Sequence, residues 1–218
     1  TSRINLKIRS DVESEINGMG PVIRKEDLEL LYEQLDTLKD DDVLVLAGSI
    51  PSGMPQSIYR DIMSRLQSKR IKIAVDATKD LLMNVLAYHP FVIKPNNHEL
   101  SEIFDIMIDS KEKAVVYAKE LQKKGAQNVI VSMAGEGAVF VGSDGSVFTS
   151  EAPHGVVKNS VGAGDSMVAG FLAGYLAKGD YAEAFKMGLC TGSASAFSDQ
   201  LATREEVEQV RRSHIFDF

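Results

Sequence analysis

The chain has 218 residues, 44% of them hydrophobic and 25% charged, which suits one sizeable domain with a substantial core. Its net charge of −7 gives no electrostatic footprint for nucleic acid or an anionic membrane, and no apolar stretch is long enough to span a bilayer. The single cysteine, Cys190, excludes an internal disulfide framework and fits a reducing compartment, so we expect a cytoplasmic protein.

The first residues predict a strand without a lead-in, because Ile4, Leu6 and Ile8 alternate with polar residues. The stretch "INGMGPVI" at 16–23 is broken by glycine and proline, so we interpret residues 1–20 as an opening β-hairpin. The chain starts on a threonine just before this strand. We therefore expect that a longer native protein has lost its front.

Strands and helices then alternate along the chain. Leucines at helical spacing predict a helix over 24–38. Continuous apolar runs predict buried strands at 43–48, 71–76, 91–94 and 128–133, with helices at 56–67, 79–87, 97–107 and 111–124. The turn "GSDG" predicts a hairpin, and three helices follow at 164–177, 181–197 and from Thr203, where "TREE" forms a capping box. This alternation predicts an α/β fold, a mainly parallel sheet covered by helices on both faces.

Ligands bind such sheets beyond the carboxyl ends of the strands, so the loops that follow the strands carry the candidate sites. The loop "AGSIPSG" at 47–53, taken alone, is best interpreted as a tight strand–helix connection. In "KPNNHE" at 94–99, Asn96 and Glu99 are three residues apart at a predicted helix start. An amide and a carboxylate suit a hydrated Mg²⁺, but the same pair suits a helix cap, and capping is the favoured interpretation from this loop alone.

The stretch "NSVGAGDSMVAGF" at 159–171 is the most informative one. It lacks the third small residue of a dinucleotide fingerprint, because Met167 stands at that offset, and it lacks the Gly-Lys-Ser/Thr ending of a P-loop. What remains is a helix that begins near Gly164, with backbone N–H groups from Val161 to Asp165 that could form an anion cradle.

Asp165 stands directly beside this predicted cradle. An ionised carboxylate at that place would be able to accept a hydroxyl proton. The alternative is an ordinary acidic residue in the first turn of a helix whose small residues serve close packing, and we expect both interpretations to hold. "AGFLAGYLA" resembles such a packing face, with Ala169, Gly170, Ala173 and Gly174 small.

The other residues with reactive or ligating side chains give weaker functional signals. "SMAGEGAVF" at 132–140 adds a second glycine pair after a strand, for which a hairpin turn is the alternative. The four histidines show no metal-ligand spacing, and Ser166 follows "GAGD" rather than standing in a G-x-S-x-G elbow. Cys190 lies among small residues and is best interpreted as a buried filler rather than a nucleophile.

Taken together, these motifs resemble the ribokinase-like carbohydrate kinases of the phosphofructokinase-B type. "NSVGAGDSMVAGF" is similar to that family's C-terminal signature, "KPNNHE" to its Asn-x-x-Glu motif and "SMAGEGAVF" to its nucleotide-loop strand. The stretches "TSRINLKIRSDVESEINGMGP" and "VLAGSIPSG" look closest to the branch of 1-phosphofructokinases and tagatose-6-phosphate kinases. The resemblance implies a ribokinase-like three-layer α/β/α domain over 1–218, with residues 1–20 as the remnant of a small β lid.

The resemblance also implies roles for the matching residues. Asp165 would be the general base, and the amides of Gly162, Ala163 and Gly164 would stabilise charge on the transferring phosphoryl group. Asn96 and Glu99 would organise Mg²⁺ through water. Arg3 and Ser49 would hold the phosphate already on the sugar, since an arginine fork binds phosphate bidentately. The implied nucleotide contacts of ATP are Lys94, Asn96, Ser132, Gly135, Gly137, Ser160, Val161 and Ser198.

Three departures from the family pattern stand out. Ala134 stands where relatives often carry glycine. Ser198 stands where some relatives carry an asparagine near the nucleotide. The family also carries a substantial segment before Thr1, with a glycine-rich sugar-binding motif and most of the lid. We therefore expect the C-terminal portion of a kinase, with its nucleotide and catalytic loops intact and its sugar site halved. The alternative is that this chain alone is inactive.

The resemblance implies an ATP-dependent kinase that phosphorylates fructose 1-phosphate on its 6-hydroxyl. Tagatose-6-phosphate kinase is the nearest alternative, and a non-catalytic module that binds nucleotide or sugar phosphate is an alternative of another class. The expected partners are small molecules and, through the lid hairpin, a second copy of the chain in a homodimer. Neither nucleic acid nor membrane is expected.

Overall fold

The computed structural model describes residues 4–8, 14–18, 20–51 and 53–218 of the chain. Its main element is a six-stranded sheet in the order β3-β4-β5-β6-β7-β8, and β1 and β2 form a separate antiparallel pair. The strands are β1 Asn5–Ile8, β2 Ser14–Asn17, β3 Val43–Ala47, β4 Lys72–Asp76, β5 Val92–Ile93, β6 Asn128–Ser132, β7 Ala138–Val141 and β8 Val147–Ser150.

Eight α-helices are described in the same ranges, together with 3-10 turns at Leu86–Tyr88 and Ala134–Glu136. Strands β3 to β6 are parallel, and β7 and β8 continue the sheet antiparallel through the hairpin. The helices are α1 Lys25–Asp36, α2 Ile58–Leu66, α3 Lys79–Met83, α4 Asn97–Phe104, α5 Lys111–Lys123, α6 Ala163–Lys178, α7 Tyr181–Phe197 and α8 Arg204–Ser213.

Strands β4 to β7 are buried between two layers of helices, which confirms the three-layer α/β/α prediction. Along β6, Val129 and Val131 face a core shared with α1 to α5, whereas Ile130 faces a second core shared with α6 and α7. Successive residues of a strand point to opposite faces of the sheet, and here each face is covered by helices. Most residues of a central strand are therefore buried, which explains the continuous apolar runs in the sequence.

Two predicted helices end earlier than their hydrophobic pattern suggests. The helix predicted over 79–87 ends at Met83, and the following 3-10 turn ends at Tyr88, just before His89, whose φ is 55°. The helix predicted over 97–107 ends at Phe104 because Asp105 has a φ of 51°. A left-handed residue reverses the chain direction, so apolar residues beyond it still reach the core without continuing the helix.

Helices α6 and α7 pack closely through glycine. Gly170 and Gly174 of α6 are buried, and a Cβ atom added at Gly170 would lie 2.5 Å from Thr191 Oγ1. The neighbouring Ala169 and Ala173 are exposed on the other side of the helix. The packing face predicted from "AGFLAGYLA" is therefore formed by its glycines.

Cys190 lies on α7 inside the core, and burial raises the pKa of its thiol to about 12. Because the thiolate is the reactive form, we expect no reaction of the folded chain with Ellman's reagent at pH 8. The same chain unfolded in guanidinium chloride should release one equivalent of chromophore, which serves as the control. Rapid labelling of the folded chain would contradict the buried placement.

Candidate active site

The carboxyl ends of β3 and β4 and the first turns of α6 enclose a cavity of about 320 Å³. Its apolar lining comes from Val45 and Ala47 of β3 and from Val168 and Ala169 of α6. Its carboxylates are Asp76, at the end of β4, and Asp165. The cavity therefore lies at the edge where sheets of this kind bind ligands.

Helix α6 begins at this cavity in a conformation that only glycine adopts without strain. Its N-cap is Gly162, with a φ of 80°, and the Gly162 carbonyl accepts the first helical hydrogen bond from Ser166 N at 2.8 Å. The Ala163 amide donates to Ser160 O at 3.3 Å, whereas the amides of Gly164 and Asp165 have no acceptor among the described residues. Free amides at the positive end of a helix favour an anion.

Asp165 is the third residue of α6, and its side chain is exposed and lines the cavity. Within the described part of the chain, no lysine or arginine forms a salt bridge with it. The next residue, Ser166, is instead buried and accepts a hydrogen bond from Ser195 Oγ at 2.9 Å. The first turn of α6 thus anchors one side chain in the core and presents the other to the cavity.

The loop before α6 is held by residues that the sequence did not single out. Asn159 Oδ1 accepts a hydrogen bond from the Val161 amide at 3.1 Å, and the Asn159 amide donates to Ala196 O at the end of α7. The exposed side chain of Leu201 lies over Gly162, where an added Cβ atom would be 2.8 Å from Leu201 Cδ2. The loop is therefore fixed in part by contacts with residues that are far from it in the sequence.

Lys94 and Asp76 form a largely buried ion pair, with Lys94 Nζ 3.3 Å from Asp76 Oδ1. Burial raises the pKa of Asp76, the charge of Lys94 opposes that effect, and the charge of Asp165 adds to it. Asp76 is the main site residue that sequence reasoning missed. Its only signal was a charged residue at the end of an apolar run.

Asn96 and Glu99 form the capping box that their spacing predicts. Asn96 Oδ1 accepts a hydrogen bond from the Glu99 amide and Glu99 Oε2 accepts one from the Asn96 amide, both at 2.8 Å. Burial raises the pKa of Glu99, while the Asn96 hydrogen bond and the Lys94 charge lower it. A bridge between Asn96 and Ser132 brings the ends of β5 and β6 together, so this cap faces the same edge of the sheet.

Capping and metal binding predict different effects for Glu99→Gln. The glutamine amide oxygen can still accept the capping hydrogen bond, so we expect the melting temperature to change by no more than about 2 °C. Loss of the carboxylate charge should raise the Mg²⁺ concentration needed for half-maximal turnover by about tenfold or more. The measurement is turnover against Mg²⁺ concentration, with Glu102→Gln on the same helix as the matched control. An unchanged Mg²⁺ requirement would leave Glu99 with the capping role alone.

Of the glycine pair after β6, the backbone requires Gly137. Gly137 has a φ of 90°, and a Cβ atom there would lie 2.0 Å from Ser150 O on β8. Ala134 has a φ of 48°, a backbone conformation that favours glycine. The hairpin interpretation therefore accounts for Gly137, while Gly135 has open space around it.

The remaining predicted residues are not all brought to one place. Ser198 is buried and its hydroxyl donates to Ala194 O and to Glu206 Oε1, both at 2.9 Å, so it serves the junction of α7 and α8. Ser160 and Val161 are exposed beside the start of α6, and Ser49 is exposed after β3. Arg3 lies outside the described residues.

Two further kinds of site are absent from the described ranges. No group of three or more histidine, cysteine, aspartate or glutamate side chains is placed there to hold a metal ion by itself. Nor does any helix in those ranges combine the length and the apolar character that crossing a bilayer requires.

Comparison with known proteins places these features in a family. The model of the pfkB family carbohydrate kinases matches residues 3–206. A 1-phosphofructokinase of Bacillus subtilis is 44% identical over 209 residues, which are 96% of this chain and 69% of that protein. A D-tagatose-1-phosphate kinase of Bacillus licheniformis is 30% identical over 95% of this chain and 68% of its own length.

Solved structures agree with the sequence matches. Phosphofructokinase-2 from Escherichia coli in complex with substrates and products superimposes with a TM-score of 0.87 at 25% identity, covering 95% of this chain and 69% of that one. Ribokinase from Arabidopsis thaliana, complexed with ribose and ATP, superimposes with a TM-score of 0.73 at 17% identity, over 96% of this chain and 69% of that one. The second likeness shows the ribokinase-like fold.

Proposed function

Because the chain belongs to the pfkB family of carbohydrate kinases, we propose that it transfers the γ-phosphoryl group of ATP to the 6-hydroxyl of fructose 1-phosphate. The observation that carries this proposal is the start of α6. There, the exposed Asp165 lines a cavity beside amides that have no acceptor among the described residues. A base and an anion site in contact are what phosphoryl transfer to an alcohol needs.

In the proposed reaction, Asp165 accepts the proton of the attacking hydroxyl. The backbone amides of Gly162, Ala163 and Gly164 donate to the oxygens of the transferring group, with the Ala163 amide turning from its long contact with Ser160 O. Phosphoryl transfer depends mainly on positioning and charge stabilisation, so a rigid helix terminus suits it. The α6–α7 packing supplies that rigidity.

The nucleotide would lie across the ends of β5 and β6. Lys94, Asn96 and Ser132 stand there, and the open space at Gly135 would admit a phosphate or a sugar ring. Ser160 and Val161 would border the nucleotide from the other side. Ser198 is proposed to lie near that region, with its hydroxyl engaged within the protein.

The Asn96 and Glu99 oxygens fit Mg²⁺ through water, because they combine an amide with a half-buried carboxylate of which Oε2 alone makes the capping bond. When bound, Mg²⁺ would neutralise charge on the nucleotide phosphates. The part of these two residues would be to hold its water ligands. Arg3 and Ser49 are proposed to bind the phosphate that the sugar already carries.

D-Tagatose 1-phosphate is the second candidate acceptor. One relative at 30% identity is named for a kinase of this sugar phosphate, and tagatose differs from fructose only in configuration at C4. Tagatose 1-phosphate and fructose 1-phosphate both offer a free 6-hydroxyl, whereas tagatose 6-phosphate does not. Tagatose 1-phosphate is therefore a better second candidate than tagatose 6-phosphate.

The test is ADP release by this chain with Mg·ATP across four acceptors: fructose 1-phosphate, tagatose 1-phosphate, tagatose 6-phosphate and fructose 6-phosphate. We expect the highest kcat/KM with fructose 1-phosphate. Preference for a 6-phosphate would contradict the proposed acceptor. Binding of a non-hydrolysable ATP analogue without turnover on any acceptor would favour the alternative of a non-catalytic binding module.

We also propose that β1 and β2 belong to a lid through which two copies associate. Ile4, Leu6, Ile8 and Ile16 of this hairpin are between 43% and 74% exposed. An apolar row of this kind on a two-stranded sheet favours burial against a partner. Sedimentation equilibrium should show a dimer that Leu6→Lys dissociates, and an unchanged mass in Leu6→Lys would contradict the role of the hairpin.

A further inference from the structure

We propose that Asp76 is a positioning residue that holds the Lys94 ammonium against the first turn of α6, at the opening of the anion cradle. This inference rests on the proposed kinase function, and it assigns a task to a carboxylate that the proposed reaction leaves unused.

The sheet register places the two side chains next to each other. β4 and β5 are parallel, and Ala74 pairs with Val92 and Val75 with Ile93. Asp76, the last residue of β4, and Lys94, the residue directly after β5, continue this register, so their side chains leave the sheet side by side. They point to the face that Ala74 and Val92 share, which is the face covered by α6 and α7.

Lys94 is then confined by burial. Its side chain is 8% exposed and that of Asp76 is 18% exposed. Within the described part of the chain, Asp76 is the one carboxylate in salt-bridge contact with this ammonium. A buried ammonium needs such a partner, because removing it from water without one is strongly unfavourable.

The lysine tip also reaches α6. A Cβ atom added at Gly164 would lie 3.2 Å from Lys94 Nζ and 3.4 Å from Cε, so the ammonium passes over the first turn of the helix. The positive end of a helix repels a cation. Lys94 can therefore stay there only because the charge of Asp76 balances it, and loss of that charge would free the ammonium to move toward Asp165, Glu99 or solvent.

This arrangement presents a cation beside the free amides of Gly164 and Asp165. An anion bound there would contact both the helix terminus and the ammonium. Asp76 would act on the nucleotide through Lys94 rather than by touching it. It is accordingly a positioning residue and not a second base.

The test is a double-mutant cycle on nucleotide affinity. Isothermal titration calorimetry with Mg²⁺ and adenosine 5′-(β,γ-imido)triphosphate compares the wild type, Asp76→Asn, Lys94→Met and the double variant. We expect each single variant to weaken binding by roughly tenfold or more, the size of one charge-assisted hydrogen bond. The double variant should bind no more weakly than Lys94→Met, because a residue that acts through Lys94 has no further effect once Lys94 is gone.

Two further variants separate positioning from folding. Asp76→Glu keeps the charge and should recover most of the affinity, which a requirement for shape alone would not allow. Asp40→Asn removes an exposed aspartate–arginine pair at the opposite ends of β3 and β4 and should leave affinity unchanged. Protection of Cys190 from Ellman's reagent reports whether each variant is folded. If Asp76→Asn does not fold, the comparison of Asp76→Glu with the wild type and the double variant decides the matter.

A failure of the proposed function can be distinguished from a failure of the role proposed for Asp76. A wild-type chain that does not bind the analogue overturns the proposed function and this inference with it. If the wild type binds the analogue and Asp76→Asn binds it with the same affinity, the inference alone is overturned. The inference is also overturned if the affinity losses of the two single variants add up in the double variant.

Discussion

Asp165→Asn should lower kcat with fructose 1-phosphate by roughly 10²- to 10⁴-fold, the usual contribution of a positioned acid or base. The amide has nearly the shape of the carboxylate but cannot accept the hydroxyl proton. Asp165 is exposed to the cavity and forms no salt bridge within the described part of the chain, so its replacement removes no structural ion pair. The measurement is steady-state ADP release, with kcat and KM determined separately for sugar phosphate and ATP.

A matched charge change shows whether position matters. Asp80 is also an exposed aspartate in the first turn of a helix, α3, but it lies outside the cavity lining. Asp80→Asn should retain the wild-type kcat. Binding of the ATP analogue to Asp165→Asn should be equal to or tighter than in the wild type, since a carboxylate beside an anion site repels phosphate. Near-normal turnover of Asp165→Asn would remove the proposed base from the mechanism.

The features that the sequence predicted are those with local causes. The capping box of Asn96 and Glu99 depends on residues three apart, and the buried strands follow from runs of apolar residues. The hairpin of β7 and β8 follows from the turn "GSDG" between them. Each of these signals lies within a few residues, so it survives whatever the rest of the fold does.

The site residues that escaped prediction have non-local causes. Asp76 meets Lys94 because two strands pair in one register, although 18 positions separate the two residues in the sequence. Leu201 covers Gly162 because α7 returns the chain to the start of α6. Ser198 was placed near the nucleotide by resemblance, yet its hydroxyl is engaged by Ala194 and Glu206. Helix ends at His89 and Asp105 also escaped, since a non-glycine residue with positive φ has no clear sequence signal.

The strongest effect on stability is expected at Gly170, where helix propensity and packing predict opposite results. Valine is a better helix former than glycine, so propensity alone predicts that Gly170→Val stabilises α6 by a few tenths of a kcal/mol. Packing predicts the reverse. The new Cβ atom would lie 2.5 Å from Thr191 Oγ1 and 2.7 Å from Met187 O, and Thr191 Oγ1 is itself held by a hydrogen bond to Met187 O.

Because a backbone carbonyl cannot move aside as a flexible side chain can, we expect packing to prevail at this position. Gly170→Val should lose about 3 kcal/mol of unfolding free energy, which for a chain of this length lowers the melting temperature by about 6–12 °C. Ala173→Val, on the exposed face of the same helix, should cost only about 0.5 kcal/mol, the difference in propensity. Thermal melting of both variants is the measurement.

The result at Gly170 also bears on catalysis, because α6 carries Asp165 and the amides of the cradle at its first turn. If α7 fixes the position of α6, the folded fraction of Gly170→Val should show a lower kcat than Ala173→Val under conditions where both are folded. A displacement of about 1 Å at a reacting group is enough for a hundredfold loss. A Gly170→Val chain that melts within about 2 °C of the wild type would show instead that the α6–α7 contact can yield, and the rigid helix start on which the proposed mechanism depends would need another source.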